Sequence, residues 1–289
     1  MKPMTYPVKE RIRITQINSF FRLPCSETYE FSGESHNFWE MMYVVKGSLC
    51  VSADERVYHL SSGQIIFHQP LELHKFYITD KGGAEILVIS YLAEGRLRDF
   101  FREKIFLLNE SQKNILNELI AYAESYACET ESIYHRYLPA FLSENLYSQK
   151  VSLYIHQLLL SLAESNSITP LPESEDSAMF TKAVQYMNDR IYENLSVEEI
   201  ASDLHMSVST LKRIFKRYAG LGIHKYFLKL KLKTAIDLLG NGETVTGVSR
   251  KMNFSSQGYF TNVFQREIGE SPSSYLLKGT PSSASKNKI

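Results

Sequence analysis

Ser209, Lys212, Arg213, Lys216 and Arg217 alternate at helical spacing with Leu211, Ile214, Phe215 and Tyr218. Wound into one helix, the two sets separate into an outward cationic face and an inward apolar stripe. Such a face suits nucleic acid: Arg213 and Lys212 suit guanine O6 and N7, while Lys216 and Arg217, one turn on, suit phosphate oxygens. A solvated surface is the plainer fate of a charge run, and it is the setting of these residues that favours DNA. The equivalent face 49 positions later carries Gln257, Thr261, Asn262 and Arg266, whose amides suit adenine N6 and N7.

The elements that must position these side chains form a repeat. Ser207, Leu211, Phe215, Gly220 and Tyr226 recur as Ser256, Phe260, Phe264, Gly269 and Tyr275, two copies of one supersecondary unit. Each copy reads as short helix, tight turn and second helix, the helix-turn-helix arrangement. Ser196-Val197-Glu198-Glu199 is a capping-box signature for the first short helix, and Ser207 caps the helix after it. Phe180, Val184, Met187 and Ile191 predict a scaffold helix ending near Glu193–Asn194. Between the units, Ile223–Leu239 predicts one continuous helix, a spacer that sets the two reading helices about one DNA turn, roughly 34 Å, apart. The first unit, richer in cations, is expected to carry most of the affinity, and the second to add sequence-dependent reading.

The stretch Ile200-Ala201, Leu204, Ser207, Leu211, Arg213, Phe215-Lys216 and Gly220, followed by Gly269-Glu270-Ser271-Pro272 and Tyr275, resembles the AraC/XylS family of bacterial transcription regulators. Two departures stand out. His205 and Asn253 occupy the turn positions where that family usually has glycine, and Asn262 stands where its second reading helix often has arginine. The resemblance implies a DNA-binding regulator with a sensory domain, working with RNA polymerase, usually as an activator.

Charge agrees with that division. Residues 179–289 hold 16 Lys and Arg against 9 Asp and Glu, a net of +7, within a chain whose formal charge is zero, so the first 178 residues carry −7. A basic half suits a polyanion and an acidic half avoids one. Three cysteines, Cys25, Cys50 and Cys128, lack metal-site spacing, and no run approaches a signal peptide or membrane span. The expectation is a cytoplasmic protein with no membrane partner.

From Arg11 to Ser90, short apolar runs alternate with turns at Gly33, Gly47, Gly63 and Gly82-Gly83, predicting a small β-barrel. Glu34-x-His36-xxx-Glu40 with Gly47, and Gly63, Pro70 and His74, resemble the two signature stretches of cupin barrels. In metal-binding cupins these positions supply ligands; here His36, Glu40 and His74 match in type and Glu34 replaces a usual histidine. Three readings stay open: a metal set, polar groups lining a small-molecule pocket, or histidines hydrogen-bonded for structure. The pocket reading is favoured, with His36, Phe38, Glu40, Met42 and His74 as ligand-binding residues, no metal assigned and no cofactor implied. A sugar is one candidate effector, with Trp39 or Tyr43 stacking on it.

Residues 96–128 and 133–165 read as helical, and Leu153–Leu162 is apolar almost all round, which favours homodimerisation over packing on the barrel alone. The expected fold class is α+β and multidomain: a cupin-like ligand-sensing barrel over 1–95, a helical dimerisation region over 96–165, a linker over 166–177, an all-α double helix-turn-helix over 178–278 and a tail over 279–289. The expected partners are double-stranded DNA, a small-molecule effector, RNA polymerase and a second copy of the chain. The rival is a cupin-type metal enzyme fused to DNA-targeting helices, and a third reading makes the barrel an assembly module only.

Overall fold

The computed structural model describes residues 6–127, 146–168 and 174–279. The chain divides into two units, Met1–Ser174 and Glu175–Ile289.

The first unit is built on two antiparallel sheets. One takes the order β1(Arg13–Cys25), β8(Ala84–Glu94), β3(Trp39–Lys46), β6(Gln64–His68), β9(Ile105–Leu107); the other runs β2(Glu30–Glu34), β7(His74–Ile78), β4(Ser48–Ala53), β5(Arg56–Ser61). Strand alternation divides the first sheet's side chains between two cores. Met42, Val44, Ile66, Ile86 and Val88 face the second sheet and meet Leu49, Val51, Tyr58, Leu60 and Phe76 there. Trp39, Met41, Ile65, Phe67, Leu87 and Tyr91 face the other way, onto α1(Glu110–Glu124) and α2(Tyr147–Ala163). Gly47, at φ 81, makes the turn between β3 and β4, where a Cβ would lie 2.3 Å from the Gly83 carbonyl oxygen. Only glycine fits that approach.

Two expectations for this unit are corrected. Residues 96–108 are not α-helical: Arg96–Phe101 is a 3₁₀ turn and Ile105–Leu107 is a strand on the edge of the first sheet, with Ile65 opposite Phe106. Phe67, Phe101 and Phe106 cluster there at 4.8–6.2 Å between ring centres, so aromatic packing overrides helical spacing. The linker also starts later than expected, because Ile168 donates its amide to the Ile105 carbonyl at 2.7 Å and packs on the barrel core. The expected helix over 133–145, Cys128 and the tail from residue 280 lie outside the described residues.

The second unit is helical: α3(Glu175–Asp189), α4(Val197–Asp203), α5(Val208–Ala219), α6(Ile223–Gly240), α7(Val245–Lys251), α8(Gln257–Ile268) and α9(Pro272–Gly279). Glu175–Ser177, read from sequence as linker, form the first turn of α3. Carboxylates favour that end of a helix dipole, and Ser177 is buried. The same helix stops at Asp189, with turns carrying the chain to Glu193 rather than further helix.

Candidate nucleic-acid interface and effector cavity

Capping chemistry sets both helix pairs. Ser196 and Glu199 form a reciprocal capping box on α4, and Thr244 accepts the Gly247 amide at the start of α7. Ser207 accepts the Thr210 amide at 3.0 Å, and Ser256 accepts that of Tyr259 at 3.1 Å, fixing where α5 and α8 begin. Gly220 and Gly269 end them in the left-handed region, at φ 66 and 91. His205 and Asn253 also turn left-handed, at φ 55 and 56. Both helix pairs therefore make the same turn without glycine. One packing pair repeats as well: Phe215 meets Tyr226 edge-on at 5.2 Å, and Phe264 meets Tyr275 edge-on at 5.9 Å.

On α5, Leu211, Ile214, Phe215 and Tyr218 are buried while Ser209, Lys212, Arg213, Lys216 and Arg217 are exposed. On α8, Phe260, Val263 and Phe264 are buried, Gln257, Asn262 and Arg266 are exposed, and Thr261 is half-buried. Several of these side chains have partners that sequence spacing does not reveal. Arg213 makes two parallel hydrogen bonds to the Asp176 carboxylate on α3, at 2.6 and 2.9 Å, and Arg217 lies 3.6 Å from the same group. The Arg213 guanidinium holds the Asp176 carboxyl below its ordinary pKa. Gln257 accepts from the Thr246 hydroxyl at 2.7 Å, and Arg266 donates to its neighbour Glu267 at 2.9 Å.

A buried lysine ties the spacer helix to the second helix pair. Lys231 on α6 donates to the Met252 carbonyl at 2.9 Å and to Asn194 at 3.1 Å, and Asn194 donates to the Asn253 carbonyl at 3.3 Å. The turn of the second helix pair is thereby held against α6. Burial pushes the Lys231 ammonium down to about 8.

Inside the first unit lies a cavity of about 440 Å³. Phe38, Glu40, Met42 and His74, assigned from sequence, line it, together with Asn18, Phe31, Glu34, Phe76, Val88 and Ser90. His36 sits beside it, stacked on Phe38 at 3.8 Å between ring centres and 3.4 Å from Glu40. Trp39 and Tyr43 do not reach the cavity, because they belong to the opposite face of β3 and pack towards α1 and α2. The aromatic wall comes instead from Phe21, Tyr29, Phe31, Phe38 and Phe76. Sequence reading passed over Phe31 because β2 is only five residues, with Gly33 inside it.

Register brings the polar group together. Glu34 stands opposite His74 across β2 and β7, and Glu40 opposite His68 across β3 and β6. Glu40 has His36 at 3.4 Å on one oxygen and His74 at 3.4 Å on the other; Glu34 lies 3.9 and 3.7 Å from the same two nitrogens. Burial raises the Glu40 carboxyl, but His36, His74 and His68 around it outweigh burial and hold it well below the usual carboxylate range. Burial lowers the His74 imidazole, but Glu34 and Glu40 outweigh it and push it up to about 10. His68, buried, stacked on His74 and donating to Glu72 at 2.6 Å, is driven well below its ordinary value, chiefly by burial.

Comparison with known proteins agrees with both halves. An AraC-like ligand binding domain matches residues 17–125, and a helix-turn-helix domain matches residues 200–278. The chain is 24% identical over 247 residues to the HTH-type transcriptional regulator YfiF of Bacillus subtilis, covering 82% of this chain and 76% of that one. It is 24% identical over 254 residues to the HTH-type transcriptional activator RhaS of Enterobacter sp. strain 638, covering 84% and 86%. With the regulatory protein PocR of Salmonella typhimurium it shares 28% identity over 114 residues, 39% of this chain and 37% of that one. With a cupin-like ligand-binding domain ahead of a helical helix-turn-helix domain, the chain belongs to the AraC family of transcriptional regulators.

Proposed function

We propose that this protein is a sequence-specific activator that binds DNA through α5 and α8 and responds to a small molecule held in the barrel cavity. The observation that carries the DNA reading is the shared construction of the two helix pairs. Each reading helix is capped by serine, closed by glycine and exposed on the face bearing cations or amides. The spacer α6, 18 residues long and about 27 Å at 1.5 Å per residue, suits two contacts in successive major grooves.

The cavity supports the effector reading. Its wall is mostly apolar, with Asn18, Glu40, Ser90 and His74 as polar points, and the Asn18 amide nitrogen there is buried without a partner. That pattern suits a molecule with an apolar body and a polar end better than a sugar. Effector binding would bias the arrangement of the units or of a dimer, and linkage then requires DNA to change effector affinity in return.

A homodimer is part of this reading. Leu146, Leu153 and Leu160 are exposed by 70%, 60% and 48%, and their seven-residue spacing puts them on one side of α2, away from the buried Val151, Ile155 and Leu158. A second copy of the same stripe would cover them. Activation is taken to proceed through RNA polymerase, and no enzymatic step is proposed.

The test is genome-wide mapping of bound DNA, followed by anisotropy titration of a recovered site with the wild-type chain, Lys212→Ala and Asn262→Ala. Loss of site preference in both variants is the expected result. Equal binding of any duplex by the wild type would end the sequence-specific reading.

A further inference from the structure

We propose that Gly258 is a specificity-determining residue of α8, because its missing side chain lets the first turn of that helix seat directly on base edges in the major groove. The proposal rests on the DNA reading above and adds how close the second helix comes to the duplex.

Nothing within the fold asks for glycine at this position. Gly220 and Gly269 close their helices at positive φ, and a Cβ on Gly247 would meet the Thr244 hydroxyl oxygen at 3.1 Å. Gly258 differs on both counts. Its backbone is ordinary right-handed helix, and a Cβ there would find no neighbour nearer than the Ser256 hydroxyl oxygen at 4.0 Å. It is exposed, and it is the one glycine inside either reading helix. Glycine weakens a helix relative to alanine, through the backbone freedom it loses on folding. A glycine that weakens its helix and relieves no internal crowding fits a surface that another molecule approaches closely.

The 49-residue repeat points to that molecule. Gly258, Asn262 and Gln265 lie at helical spacing on the side of α8 opposite the buried Phe260, Val263 and Phe264. Their counterparts in α5 are Ser209, Arg213 and Lys216, and Thr261 stands for Lys212 in the same way. At all four places α8 has the shorter side chain. An arginine reaches guanine O6 and N7 from a helix held well off the groove floor, whereas an asparagine grips adenine N6 and N7 only from a helix much nearer. Reading helices turn their N-terminal residues to the base edges, which is where Gly258 stands. On that closer approach a side chain at 258 would meet the bases first, and there is none.

The test uses the full chain and the preferred site recovered by genome-wide mapping. Wild type, Gly258→Ala and the control Gly240→Ala, whose added Cβ also meets open space at the end of α6, are compared by thermal melting and by anisotropy titration. The titrations use the recovered site and a scrambled duplex of the same length. Gly258→Ala should melt at or a few degrees above wild type while binding the recovered site more than about ten-fold more weakly. Its loss on the scrambled duplex should be much smaller, because nonspecific binding is made to phosphates. Gly240→Ala should bind both duplexes as wild type does. The proposal is overturned if Gly258→Ala binds the recovered site like wild type, loses equally on both duplexes, melts well below wild type, or is matched in its loss by Gly240→Ala. A wild-type chain with no preferred site would instead remove the DNA reading itself, and this proposal with it.

Discussion

The Arg213 guanidinium on the first reading helix lies flat against the Asp176 carboxylate on α3, joined by two hydrogen bonds of 2.6 and 2.9 Å. The side chain best suited to bidentate guanine recognition is therefore already engaged, bidentately, by an acid. Reading a base with Arg213 means breaking that pair, while Asp176 also places a negative charge near DNA phosphates. Replacing the acid should strengthen DNA binding: we expect Asp176→Asn to raise affinity several-fold and Arg213→Ala to lower it. Solvent screens this exposed pair, so thermal stability should barely move. Anisotropy titration checks this, and an Asp176→Asn chain that binds DNA more weakly would refute the idea.

The two reading helices differ in charge, and the difference should appear in salt dependence. α5 exposes Lys212, Arg213, Lys216 and Arg217, whereas α8 exposes Arg266, which donates to its neighbour Glu267. Removing one phosphate-binding cation lowers the slope of log affinity against log salt by about 0.9. Lys216→Ala should change the slope by about that amount and Arg266→Ala by clearly less. Equal changes would remove the idea that the first helix pair supplies most of the affinity.

Lys231 gives a pH-dependent prediction. Its ammonium is buried and its pKa falls from 10.5 to about 8 on folding. Between those values the unfolded chain holds a proton that the folded chain has released, so this lysine makes stability rise with pH across that window. Lys231→Met removes that dependence and leaves the Met252 carbonyl without its side-chain donor, at a cost of about 1–3 kcal/mol. Urea unfolding of both chains from about pH 7.5 to 10 reads both effects. Stability curves that run parallel for the two chains would contradict that rise.

Left-handed positions make opposite predictions for different residue types. Gly269, at φ 91, has open space where a Cβ would stand, so Gly269→Ala costs only backbone strain, about 1–2 kcal/mol. His205 already bears that strain at φ 55, and His205→Gly should relieve part of it. Thermal melts of the two variants should therefore shift in opposite directions. A His205→Gly chain that melts well below wild type would show that the imidazole contributes more than its backbone conformation costs.

Dimerisation is tested on α2. Leu153→Glu and Leu160→Glu change exposed residues, so secondary structure and melting should hold while sedimentation shifts towards the monomer. A wild-type chain that sediments as a monomer at high concentration would remove the dimer from the proposal.

Local pattern alone was enough for the repeat, the serine caps, the glycine ends and the inward and outward faces of α5 and α8. These depend on spacing within a dozen residues, where helical geometry relates position to direction. The Glu34, His36, Glu40 and His74 cluster was legible as a set of residue types, with three uses left open. Tertiary structure decided the rest through contacts between distant parts of the chain. Strand register brought His74 beside Glu34, the faces of β3 put Met42 towards the cavity and Trp39 away from it, and α3 delivered Asp176 to Arg213 across 37 residues. Periodicity tells which way a side chain leaves its own element, but the partner it meets there depends on how separate elements pack.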